Sequence, residues 1–323
     1  MPVIDETTYN APYFFARSHL GTLIPNLLRF TSGVNYDRQR ISTPDGDFLD
    51  LDWSKEGNKR LIILSHGLES SSRATYIVGM VKYFNKRSYD TLSWNFRSCS
   101  GEMNLTVPFY HPGQTGDLQL VIDEGRKAGY EEIYLVGFSL GGALTLRYLG
   151  EKGNDLQPEV KRAVVFSAPT DLGATAKHLG EGSGLVYGKG FLFKYRRKMA
   201  LKEKTMPGKY DMELWSDIKC MEDFDDAFCT QWYGFKNRFD FYEAISSKNL
   251  LEEVAVPTLI VNAMNDPFLP ANAYPFAEAS KAENVYLEVP EMGGHVGFMT
   301  FSWKGIYWSE TRTEDFLEGR ELA

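Results

Sequence analysis

The chain has 323 residues, 43% hydrophobic and 24% charged, the balance of a folded globular protein with room for a large core. A formal net charge of −8 argues against a sequence-wide nucleic-acid footprint, which would be basic. The three cysteines, Cys99, Cys220 and Cys229, are widely spaced and form no C-x-x-C pair, and no stretch approaches the roughly 18 apolar residues of a membrane-spanning helix.

The first ten residues carry neither the basic nor the apolar region of a secretory leader, so a reduced, cytoplasmic setting is expected. From Ala11 to Phe30 the chain opens with aromatics and then reads as a helix. Leu20, Leu23, Ile24, Leu27 and Leu28 recur at helical spacing, and Pro25 marks a break or kink. The residues Asp37 to Pro44 and Phe48 to Trp53 flank the turn chemistry of Pro44-Asp45-Gly46-Asp47 and predict an antiparallel hairpin. Arg60 to Leu64 is an apolar run typical of a strand buried on both faces. It ends in Ser65-His66-Gly67-Leu68-Glu69. A helix is expected over Ser70 to Lys86 and a strand over Tyr89 to Asn95, followed by the polar loop Arg97 to Glu102.

A helix from Thr115 to Ala128 leads to Ile133-Tyr134-Leu135-Val136-Gly137, a strand that runs into Phe138-Ser139-Leu140-Gly141-Gly142 and then a helix to Gly150. This is G-x-S-x-G between a strand and a helix, a turn that exposes the Ser139 hydroxyl above the end of a sheet. Any Cβ at Gly137 or Gly141 would crowd that corner. Arg162 to Ser167 is the next strand. Strand–helix alternation then stops, and Asp171 to Ala244, rich in aromatic and charged residues, reads as a mostly helical insertion. Alternation resumes with Pro257 to Val261, a helix at Ala271 to Lys281, the strand Val285 to Val289, the loop Pro290 to His295 and a last helix at Glu310 to Leu322.

Strands alternating with helices predict an α/β fold, with a mainly parallel sheet covered on both faces and ligands at the carboxyl ends of its strands. The division expected is a core of 1–170 and 245–323, with a helical extension over 1–30, and a helical lid over 171–244. The loops holding Leu68, Ser139, Asp266 and His295 all fall at strand carboxyl ends. A serine hydroxyl needs a general base, and the base needs an orienting carboxylate. In a strand–elbow–helix setting these follow in the order Ser, Asp or Glu, His. After Ser139 the histidines are His178, inside the insertion, and His295, in a glycine-flanked loop after the last strand, so His295 is the candidate base. Asp266 follows the strand ending at Val261 and is the candidate carboxylate, with Asp240 and Glu243 as rivals. Asp223, Asp225 and Asp226 read as a solvated acidic face. The backbone N–H groups of Leu68 and Leu140 are the candidate oxyanion donors. His66 reads as a loop brace and Cys99 as structural. The spacing of His, Cys and acidic residues suggests no metal ligand set, and there is no G-x-G-x-x-G or P-loop, so no cofactor is expected.

With these residues in place, the chain resembles an α/β-hydrolase of the YheT-like branch, which includes the EMB8-type proteins. The resemblance rests on Ser18 to Pro25, Ser65 to Ser70, Asn95 to Asn104, Tyr110-His111, Gly137 to Gly142 and Met292 to Phe298. It implies a carboxylic-ester hydrolase with Ser139, Asp266 and His295 as its triad. Ser70 and Ser98 stand where the branch more often has glycine, and Cys229-Thr230-Gln231 departs from its usual pattern, so substrate preference is not carried over. The expected reaction is hydrolysis of short- to medium-chain acyl esters, with lipase, thioesterase, acyltransferase and non-catalytic binding as alternatives. The expected partner is a small-molecule acyl ester, with no nucleic acid and no integral membrane segment.

Overall fold

A computed structural model describes residues 3–4, 6–12, 17–29, 33–302 and 305–320, with side chains at 26–28 left aside. Nine strands form one sheet: β1 (Val3–Ile4), β2 (Asp37–Ser42), β3 (Phe48–Ser54), β4 (Arg60–Ser65), β5 (Tyr89–Asn95), β6 (Glu132–Phe138), β7 (Val160–Phe166), β8 (Thr258–Val261) and β9 (Val285–Glu288). Their order is β1-β9-β8-β7-β6-β4-β5-β3-β2. Pairing is parallel from β1 through to β5, and β3 and β2 add an antiparallel edge. The chain leaves β4 toward β5 on one side and returns to β6 on the other. The crevice beyond β4 and β6 is therefore the switch point at which open α/β sheets bind ligands.

Alternation along each strand divides the core in two. Leu61 and Ile63 of β4 join one apolar cluster with Leu118, Val121, Leu144 and Leu149. Ile62 and Leu64 join another on the opposite face with Ile77, Met80 and Phe316. The first face is covered by α3 (Thr115–Lys127) and α4 (Leu140–Lys152), the second by α2 (Thr75–Phe84) and α11 (Trp308–Leu317). Between β7 and β8 run α5 (Leu172–Leu179), α6 (Leu185–Thr205), α7 (Met221–Phe224), α8 (Thr230–Tyr233) and α9 (Arg238–Ile245). Most aromatics of this segment pack rather than line a cleft. Phe224, for example, stacks on Tyr195 at 4.7 Å, and Trp215 and Phe228 crowd the same ring.

Several element boundaries differ from the sequence reading. The helix expected from Ser70 begins at Thr75, because the preceding serines are taken up by turns. Ser72 accepts no helical role: its N–H donates to Asn95 Oδ1 at 3.0 Å and its hydroxyl to Asp52 Oδ2 at 2.5 Å. The helix expected over Ala271 to Lys281 splits into a short 3-10 turn, Ala271–Ala273, and α10 (Phe276–Lys281). Pro275 holds Tyr274 in extended backbone, ψ 126°, which breaks the run. The last helix starts two residues early and stops at Leu317, with Gly319 at φ 76° just beyond; Leu322 lies outside the described residues. At the N-terminus, Val3–Ile4 is an edge strand rather than part of a helical extension.

The first helix, α1 (Ser18–Leu28), continues through Pro25 instead of breaking there. Of the apolar residues at helical spacing, Leu20 and Leu23 face solvent, whereas Gly21, Thr22 and Pro25 are buried. Proline leaves the carbonyl four residues earlier without its helical donor. That carbonyl, on Gly21, faces Gly297, where a Cβ would collide with it. Residues 13–15 and Phe30, part of the expected aromatic opening and helix end, lie outside the described residues.

Candidate active site

Ser139 occupies the single residue between β6 and α4. Its N–H donates to Phe166 O at 2.8 Å, continuing the β6–β7 ladder, while its carbonyl accepts from Ala143 N–H at 3.0 Å and starts the helix. Meeting both demands forces φ 53° and ψ −120°, a conformation that costs a non-glycine residue about 1–3 kcal/mol. The surrounding glycines make this corner possible. A Cβ at Gly137 would lie 2.6 Å from Gly141 O, and one at Gly141 would lie 2.5 Å from His66 O. At Gly67 it would sit 3.2 Å from Ser139 Cβ, a tight contact, so glycine lets the loop after β4 pass directly beside the serine.

His295 Nε2 lies 2.8 Å from Ser139 Oγ, and His295 Nδ1 lies 2.8 Å from Asp266 Oδ2 and 3.1 Å from Oδ1. The carboxylate at Nδ1 keeps the neutral ring's proton on that side, leaving Nε2 free to accept from the serine hydroxyl. Asp266 is buried and also accepts the Phe268 N–H at 2.8 Å. The Phe268 ring stacks on the imidazole with centroids 3.8 Å apart. Two other contacts fix the backbone of the histidine loop. Thr22 Oγ1 of α1 accepts the His295 N–H at 2.9 Å, and Ser167 Oγ accepts the Val296 N–H at 2.9 Å. The sequence therefore brings Ser139, His295 and Asp266 together over separations of 156 and 29 residues. It does not bring the rivals in: Asp240 and Glu243 are exposed on α9, and His178 lies in the last turn of α5.

Leu140, the first residue of α4, carries one of the N–H groups that a helix leaves without an internal acceptor. Leu68 follows Gly67 and borders the same pocket as Leu140, Ser139 and His295. The loop around Leu68 is braced from several sides. His66 is fully buried, with Nδ1 2.7 Å from Gly67 O and Nε2 accepting the Phe96 N–H at 3.1 Å. Burial pushes its pKa down to about 3, so it stays neutral and holds the loop as expected. The Gly67 N–H donates to Tyr76 Oη at 3.0 Å.

Glu69, at φ 53°, anchors the other side. Its N–H donates to Tyr110 Oη at 2.7 Å, and that hydroxyl donates back to Glu69 Oε1 at 2.9 Å. From α6, Lys198 Nζ donates to Glu69 Oε1 at 2.8 Å and Lys194 Nζ to Glu69 O at 3.2 Å. One turn further on, the buried Lys202 reaches Asn104 Oδ1 at 2.7 Å and Val107 O at 3.1 Å. Three lysines spaced four apart thus tie one face of α6 to the loops at the sheet's carboxyl end. Nothing local in the sequence signals this pairing. The Glu69 side chain is only 2% exposed, so Lys198→Met, which strands its charge, is expected to cost about 3 kcal/mol in urea unfolding. Adding Glu69→Gln should recover part of that loss. A loss below about 1 kcal/mol would class the pair with solvent-screened surface bridges.

The Arg97 loop forms a polar network that meets the lysine face at Asn104. Arg97 makes a bidentate pair with Asp117 at 2.9 and 2.8 Å and also reaches Asp45 at 2.5 Å. Ser98 adopts φ 62°, a backbone that favours glycine, and its hydroxyl donates to Asn104 Oδ1 at 2.6 Å. Cys99 lies beside Lys198, and burial pushes its thiol pKa up to about 11, consistent with a structural role.

The pocket bordered by Ser139 holds about 800 Å³ of empty space, its open mouth included. Its walls are mainly apolar and come from α5, α6, α9 and the segment after β8. Of the aromatics in the insertion, Phe191, Tyr195, Phe241 and Tyr242 line it, while Phe193 is 70% exposed. Among the described residues no cluster of His, Cys, Asp and Glu could hold a metal ion, and no helix is long and apolar enough to cross a membrane.

A model of the alpha/beta hydrolase fold matches residues 60–302. The chain is 33% identical over 311 residues to YheT of Escherichia coli (strain K12), covering 94% of this chain and 91% of that one. It is 28% identical to Phospholipase ABHD3 of Mus musculus, covering 94% and 75%. In structure it is similar to the Pyrococcus furiosus esterase Pf2001, with a TM-score of 0.58 at 19% identity over 90% and 92% of the two chains, a likeness of fold. The match across the strands, elbow and histidine loop, together with that kinship over nearly the whole length, places the chain in the alpha/beta-hydrolase family, in its YheT-like branch.

Proposed function

We propose that this protein is a serine hydrolase that cleaves carboxylic esters of short to medium acyl chain through an acyl-enzyme on Ser139. The observation that carries the reading is the unbroken hydrogen-bonded line Ser139 Oγ, His295 Nε2, His295 Nδ1, Asp266, each link 2.8 Å. His295 takes the hydroxyl proton as Ser139 Oγ attacks the ester carbonyl. Asp266 holds the ring's tautomer and stabilises the imidazolium. The Leu68 and Leu140 N–H groups receive the developing oxyanion. The tetrahedral intermediate collapses as His295 gives its proton to the leaving alcohol. Water then attacks the acyl-enzyme by the same route and regenerates the serine.

In this reading, residues 171–244 act as a lid on a core of 1–170 and 245–323, walling the acyl pocket and keeping water from it. The free cysteines fit a reducing, cytoplasmic setting. A lipid-directed lipase is the second reading, favoured by the apolar pocket walls and by a relative named a phospholipase. Release of p-nitrophenolate from p-nitrophenyl butyrate tests the primary reading, and absence of turnover by the folded protein would overturn it.

A further inference from the structure

The acidic run Asp223, Asp225, Asp226 is not the solvated face that its composition suggests. Asp226 pairs with Arg238, and Asp223 accepts the Lys219 and Cys220 N–H groups. Asp225 instead turns inward, is 8% exposed and lines the pocket that Ser139 borders. The turn responsible is a five-residue π-helix, Asp225–Cys229, between α7 and α8. Such single-turn insertions in helices are frequent at functional sites.

Two features of this wall stand out against its apolar surroundings. The Asp225 carboxylate has no basic partner among the described residues. Tyr242 Oη donates to its Oδ2 at 2.7 Å, the Cys229 thiol lies beside it, and burial pushes its pKa up to about 6. Tyr195 lines the same pocket and is 6% exposed, yet its hydroxyl makes no hydrogen bond among the described residues. Burial first, and then neighbouring groups that include Glu69 and Asp225, hold that phenol well above its ordinary pKa, so it keeps its proton as a donor. A polar group that a ligand covers without supplying a partner is costly, so a pocket wall that contains one discriminates strongly for a ligand able to supply the missing bond.

We propose that Tyr195 and Asp225 form a polar subsite within the acyl pocket that selects esters whose acyl chain carries a hydroxyl group. The inference rests on the serine-esterase reading of Ser139. A hydroxyl is the group whose chemistry matches both partners, able to accept from the Tyr195 O–H and to donate to the Asp225 carboxylate. An ammonium would satisfy the carboxylate and leave the phenol without an acceptor. A plain alkyl chain would desolvate both groups, leaving the phenol unpaired and the carboxylate with the Tyr242 O–H as its hydrogen bond. The rest of the chain binds against apolar walls such as Leu172, Leu179 and Phe241.

The test compares kcat/KM for p-nitrophenyl hexanoate with that for a series carrying one hydroxyl at successive acyl carbons, plus an amino-substituted counterpart. A preference of about tenfold or more is expected at one hydroxyl position, and not for the amine. Tyr195→Phe should reduce that ratio by about the same factor. Its fold is checked by circular dichroism, and since the phenol makes no hydrogen bond among the described residues, a purely structural role for Tyr195 predicts an unchanged ratio. Asp225→Asn, which keeps an acceptor for Tyr242, should also lower the ratio because the bond to substrate loses its charge. No preference at any position, preference for the amine, or a ratio unaffected by Tyr195→Phe would overturn the subsite while leaving the esterase reading intact. Failure to hydrolyse every ester in the series would overturn both.

Discussion

Ser139→Ala is expected to abolish hydrolysis of p-nitrophenyl butyrate, lowering kcat by up to about a million-fold, the scale seen when members of such a unit are removed. The substitution deletes one oxygen. It leaves the φ 53° corner, the Phe166 O contact and the glycine packing untouched, because none of them involves the side chain. The variant should therefore fold like the parent, and its loss should appear in kcat. His295 would have no hydroxyl to deprotonate, while the pocket and the backbone donors would still bind the ester. Retained turnover would mean that the hydrolysis belongs to another group.

Asp266→Asn is expected to lower kcat by about ten-thousand-fold. The amide is the same size and can still accept the Phe268 N–H that Asp266 Oδ1 now accepts at 2.8 Å. Its NH2 group would then face His295 Nδ1. That favours the tautomer with the proton on Nε2, which points at Ser139 and cannot take its proton. Asp240→Asn, on the exposed face of α9, is the control and should be silent. The reverse pattern would move the carboxylate role into the insertion. The steady-state rates of the two variants at neutral pH decide between them.

The fold class and the meeting of Ser139, Asp266 and His295 are legible in the sequence for a local reason. Each residue sits in a short loop after an apolar run, and parallel strands deliver such loops to one edge of the sheet. The glycines of the elbow carry the same information, since their spacing records backbone contacts as close as 2.6 Å. What the sequence hides is long-range or orientational. The two-residue strand Val3–Ile4 has no pattern of its own and exists only by pairing with β9. The leucine spacing of α1 predicts the helix but not the exposure of Leu20 and Leu23. Gly21 and Thr22 go inward because the histidine loop needs close backbone approach and an acceptor for the His295 N–H.

The Lys198–Glu69 pair spans 129 residues, and neither partner has a local cue. Asp225 is misread because three acids in four positions resemble a solvated run, and only the π-turn rotates one of them into the pocket. Most aromatics of the insertion build the interior that holds α6 and α7 together, and composition alone does not separate them from the few that line the pocket. On the proposed reading, substrate selection lies with a few positions that neither spacing nor composition distinguishes from packing.

The nucleophile assignment is tested most directly by reacting the folded protein with a fluorophosphonate and locating the adduct by peptide mass mapping. One adduct per chain, on Ser139 and absent from Ser139→Ala, is the predicted result. An unlabelled Ser139 in folded protein, or an adduct on a different residue, would contradict it.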